Sequence, residues 1–61
     1  MSTICVIKDY EPLKNHSGYR MIYQRLDRRG KIIATDSVVV QSINFVVGSL
    51  IPYTAIKAMQ N

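Results

Sequence analysis

SVVVQSINFVVGSLIPYTAI, residues 37 to 56, carries no charged side chain over a third of a 61-residue chain. How this stretch folds decides the architecture, because little other protein is at hand to cover it. Two patterns compete inside it. Val38, Val39 and Val40 are β-branched and favour strand locally. Over a longer window, Val39, Val40, Ile43, Val46, Val47, Leu50 and Ile51 recur at helical spacing, with Ser37, Gln41, Asn44 and Gly48 as an opposing polar stripe. Asp36-Ser37 offers an N-cap. The periodicity predicts a helix from about Ser37 to Leu50, which Pro52 kinks or splits. A second helical stretch is expected from Pro52 to Gln60, with Pro52 near its first turn. Val38 to Gln41 can begin that helix or extend the strand before it.

Outward from this stretch the chain reads as β-structure. TICVIK (Thr3 to Lys8) is a short apolar, β-branched strand. In DYEPLKNHSG, Pro12, Asn15, Ser17 and Gly18 mark a loop. YRMIYQRL (Tyr19 to Leu26) and KIIAT (Lys31 to Thr35) are two further strands. LDRRGK joins them as a hairpin: a type I turn through Asp27, Arg28 and Arg29, with Gly30 at positive φ as a bulge. That register sets Asp27 opposite Lys31 and Leu26 opposite Ile32. It sorts Ile22, Gln24, Leu26, Ile32 and Ala34 onto one face, expected to be the core. Tyr19, Met21, Tyr23, Arg25, Lys31, Ile33 and Thr35 fall on the other. The expected fold is α+β: one domain over residues 1–61, a three-stranded antiparallel sheet (β-β-β) followed by a C-terminal helix on one face.

Size and charge narrow the function. A chain this short buries only about 60% of its unfolded surface, and small domains usually need a staple, a metal or a second copy. Cys5 is the only cysteine and His16 the only histidine. No disulfide is available, and one Cys with one His cannot complete a tetrahedral zinc shell. Cys5 reads as an inert buried thiol, and the lone loop His16 as solvated. No P-loop, dinucleotide-binding glycine pattern or metal-ligand spacing occurs. Asp9 and Glu11 could face each other as a carboxylate pair, but Lys8 and Lys14 stand nearby and solvation is the simpler reading. A non-enzymatic protein without cofactor or metal is expected. MSTICVIKDY lacks the basic and apolar regions of a secretory leader, so a cytoplasmic open reading frame starting at Met1 is expected.

The formal net charge is +4, and seven of the eight Lys and Arg residues lie between Lys8 and Lys31. Arg20, Arg25, Arg28, Arg29 and Lys31 gather on one hairpin, interleaved with Tyr19 and Tyr23. Cations of this kind neutralise phosphates, and tyrosines stack on bases. The expectation is a small regulator that binds a macromolecule through this hairpin, with nucleic acid ahead of an acidic protein surface. An inhibitor or adaptor of the phage or mobile-element type, its arginines meeting carboxylates on a host protein, is the alternative. For the uncharged helix, half the apolar surface would cover the sheet. The rest, at Val38, Phe45, Ile51 and Ile56, would form a homodimer interface. A membrane anchor is a third reading, since twenty helical residues span about 30 Å. The polar stripe at Gln41 and Asn44 speaks against it.

Overall fold

The computed structural model describes residues 3–15 and 17–59. The expected His16 loop side chain and the end of the expected second helix at Gln60 therefore lie outside the described residues. The chain forms β1 (Ile4–Pro12), β2 (Tyr19–Leu26), β3 (Ile32–Val40), β4 (Leu50–Pro52) and α1 (Tyr53–Ala58). All strand pairs are antiparallel, in the spatial order β3-β2-β1-β4. Three strands meander, and the fourth returns by a longer connection to lie beside the first, which is Greek-key order.

The expected three-stranded sheet is thus corrected to four strands, and the helix from Ser37 to Leu50 does not form. Ser37 to Val40 continue β3, where they pair with Ile22, Met21, Arg20 and Tyr19. The physical reason lies in β2. Its eight residues would be only half paired by a strand ending at Thr35, so the β-branched valines complete the ladder. Residues 41–49 then cross from one edge of the sheet to the other. Ser49 N–H donates to Val46 C=O across a turn (3.1 Å), and Gly48 N–H donates to Ile7 C=O (2.7 Å). Ile7 N–H donates to Ser49 C=O (3.0 Å), so the crossing segment is already on the β1 ladder before β4 begins. Only the end of the expected helical region is helical, as the six-residue α1. Pro52 is the last residue of β4 and the N-cap of α1, not a kink within a longer helix.

The first strand is also longer than its sequence suggests. Asp9 to Pro12 pair with Ile22 to Tyr19 after a bulge between Ile7 and Asp9. The connection shrinks to residues 13–18, closed by a hydrogen bond from Leu13 N–H to Gly18 C=O (3.1 Å).

The core lies on the face opposite to the one expected. Cys5, Ile7, Met21, Tyr23, Val40, Ile51 and Ile56 are buried, while Ile32 is exposed and Ile22, Gln24 and Leu26 are half-buried. Two facts decide this. Residues 41–49 and α1 close over the side holding Cys5 and Ile7, and Val40, Phe45 and Ile56 pack there. A second bulge, between Arg25 and Leu26 and their partners Ala34 and Ile32, then shifts β3 by one residue. It moves Ala34 to the core side and Ile33 away from it, because a one-residue slip exchanges the faces.

The buried thiol and phenol make stability depend on pH. Burial is the largest influence raising the Cys5 thiol above its ordinary value of 9.0 and the Tyr23 hydroxyl above 10.0. Both groups therefore hold their proton longer folded than unfolded. Their contribution is complete below pH 9 and is lost as pH rises through the folded values. Thermal melts between pH 7 and 11 should show the midpoint falling above about pH 9. Tyr23→Phe should flatten the part of that fall above about pH 10.

Candidate functional site

The hairpin between β2 and β3 is built from its turn outward. Asp27 C=O accepts from Gly30 N–H (3.0 Å), and Asp27 N–H donates to Lys31 C=O (2.9 Å). Gly30 has φ 82°, the left-handed conformation that lets the chain re-enter the sheet. One carboxylate oxygen of Asp27 accepts from both Arg29 N–H and Lys31 N–H, at 2.8 Å each. Asp27 is thereby consumed inside the turn, and its side chain pins the loop from which Arg28, Arg29 and Lys31 stand exposed.

The other basic and aromatic residues expected on this hairpin are separated from the tip. Arg25 lies on the core side, its Nε 3.6 Å from an Asp36 carboxylate oxygen and its guanidinium 5.3 Å from the centre of the Tyr53 ring. At 3.6 Å the pair attracts without a hydrogen bond, and Nε is left without a hydrogen-bond partner. With side chains 34% and 49% exposed, the ion pair contributes no more than about 1 kcal/mol. Lys57 Nζ approaches the same ring at 5.9 Å, so two cations flank Tyr53 at the start of α1. Arg20 sits near the opposite end of β2 and pairs in register with Glu11, seven residues or roughly 20 Å from the tip. With Glu11, Pro12, Leu13, Lys14 and Asn15 it lines a groove of about 460 Å³.

The tyrosines are in the core layer. Tyr23 is 2% exposed. Tyr19 packs edge-on against Tyr10, ring centres 6.4 Å apart, and the Tyr10 hydroxyl donates to Phe45 C=O (2.7 Å). Neither Tyr19 nor Tyr23 is presented beside the tip arginines for stacking. Sequence spacing missed this because the alternation was right and the choice of face was not.

The residues expected to form a dimer interface are likewise dispersed. Ile51 and Ile56 are buried in the protomer's own core, and Val38 and Phe45 pack against it half-buried. Among the described residues no helix is long and apolar enough to cross a membrane. The described residues also contain no group of three His, Cys, Asp or Glu side chains placed to hold a metal ion.

No protein-family model matches the chain. No curated protein and no solved structure matches it either.

Proposed function

We propose that this chain is a non-enzymatic binding module of the inhibitor or adaptor kind, whose hairpin tip meets an acidic surface on another protein. The observation that carries this reading is the pinned turn: Asp27 holds Arg28, Arg29 and Lys31 outward on a short, hydrogen-bonded prong. Guanidinium groups on a rigid prong suit bidentate contact with carboxylates at small entropic cost. The lone, buried thiol of Cys5 suits work in a reducing compartment such as the cytoplasm.

Magnitudes place nucleic acid second. Three tip cations would release about three counterions, a salt slope near −3, whereas tight duplex binding rests on roughly six to ten phosphate contacts. The stacking tyrosines that would add affinity on single strands lie in the core layer.

Fluorescence anisotropy with labelled polyglutamate, single-stranded DNA and duplex DNA separates the readings. Arg28→Ala with Arg29→Ala should weaken polyglutamate binding at least tenfold. DNA binding should weaken about 40-fold between 50 and 200 mM salt. Tight DNA binding that persists at 200 mM salt, or a salt slope of six or more, would hand the role to nucleic acid. Polyglutamate binding indifferent to the double substitution would remove the prong.

A further inference from the structure

The two edges of the sheet are finished differently. At one edge β4 is three residues long and ends in Pro52. Beyond it the bare stretch of β1 has a bulge between Ile7 and Asp9, the charges of Lys8, Asp9 and Glu11, and Pro12. Short strands, bulges, charges and proline are the devices that keep an edge from pairing with another chain. At the opposite edge β3 is nine residues long, with no lysine, no proline and Asp36 as its single charge. Its bulge lies near the start, opposite Arg25, so residues 34–40 pair with β2 in unbroken register. Among the described residues, the β3 backbone has no hydrogen-bond partner other than β2. Alternate residues of an edge strand turn both N–H and C=O outward, so this stretch offers about six to eight unmade bonds over roughly 23 Å.

We propose that an extended, acidic segment of the partner protein adds to this edge as a fifth strand, antiparallel to β3. The proposal rests on the prong reading above and gives the partner's binding segment its shape. Added strands gain affinity from backbone bonds and specificity from their alternate side chains. Charge fixes the rest of the segment. β3 begins at Ile32, directly after the exposed cations Arg28, Arg29 and Lys31. A strand paired along residues 34–40 and continued by three residues, about 10 Å, draws level with Lys31. A carboxylate opposite Asp36 would meet a like charge. The middle of the segment is therefore neutral and β-branched, beside the exposed Thr35, Ser37 and Val39, and its carboxylates follow at the end beside the tip.

Other occupants fit this edge less well. Pairing β3 with β3 of a second copy over its full length would set Asp36 against Asp36 and join two chains that each carry a formal net charge of +4. A nucleic acid meets the tip cations but has no peptide edge to complete the ladder.

Fluorescence anisotropy of the full chain with labelled peptides tests it. The probe has seven alternating Thr and Val residues followed by three Glu; its comparator replaces the seven with alternating Gly and Ser and keeps the charge. The Thr/Val probe should bind at least about tenfold tighter. Methylating alternate amide nitrogens of the probe should cost at least about tenfold in one frame and little in the other, because an added strand pairs through one of its edges. Amide exchange should slow at alternate residues of 34–40 and stay unchanged at residues 8–12. Equal binding of probe and comparator, equal effects of the two methylation frames, or protection at residues 8–12 instead would overturn the edge. The prong reading would survive each of these if polyglutamate binding still falls with Arg28→Ala and Arg29→Ala. Frame-selective binding indifferent to that double substitution would overturn the acidic identity of the segment, and the prong with it. A wild-type dimer at micromolar concentration that excludes the probe would give the edge to a second copy and overturn the proposal.

Discussion

Gly18→Ala lowers the melting temperature by roughly 15 to 25 °C, from a loss on the order of 3 kcal/mol. Gly18 closes the β1–β2 connection with φ 146°, a conformation that side chains with a Cβ rarely adopt. A Cβ there would stand 2.4 Å from the backbone oxygen of Val40. That oxygen cannot easily retreat, because Val40 is paired with Tyr19 and its side chain is buried in the core. Conformational strain and a backbone clash therefore add. For a chain of 61 residues the whole stability is about 3 to 9 kcal/mol, so one methyl group consumes a large part of it. Gly30→Ala is the internal comparison. Its φ is 82°, but nothing lies within 4 Å of the added Cβ. The loss there should be about 1 kcal/mol. Thermal melts of the two variants side by side check the pair, and equal losses would contradict the close approach at Val40.

Ile56→Ala should cost about 2 to 5 kcal/mol and leave a substantially unfolded population at 25 °C. A six-residue helix has no stability of its own in water. It is held by Ile56, which is fully buried against the core. Shortening that side chain removes the transfer free energy and leaves a cavity under α1. Val46→Ser, ten residues earlier in the same uncharged stretch, should change stability by no more than about 0.5 kcal/mol. Val46 is 74% exposed, although the helical periodicity places it on the apolar stripe. Urea titrations of both variants decide between the two arrangements of this stretch. A large loss at Val46 with little at Ile56 would restore the long helix.

The legible parts of this fold were local. Asp27-Arg28-Arg29-Gly30 has the chemistry of a bulged hairpin turn, and the contacts Asp27 with Lys31 and Leu26 with Ile32 follow from that turn alone. The tip cations were legible for the same reason, since residues at a tight turn must point outward. Failures came where two remote segments compete for one surface. The spacing of Val39, Ile43, Val46 and Leu50 suits a helix, yet the unpaired end of β2 claims Ser37 to Val40 first. Tyr23 and Leu26 both suit burial. Which one is covered depends on the side to which residues 41–49 cross, and no local pattern carries that information.

From the sequence alone followed β2, the first half of β3 and the turn between them, the basic tip, and the lack of a second cysteine for an intrachain disulfide. These depend on backbone preference and on neighbours within a few residues. The tertiary structure alone decided the fourth strand, the buried face, the burial of Tyr23 and the short helix. Each of these minimises unpaired backbone and exposed apolar area over the whole chain, and that balance is set by contacts between residues far apart in sequence.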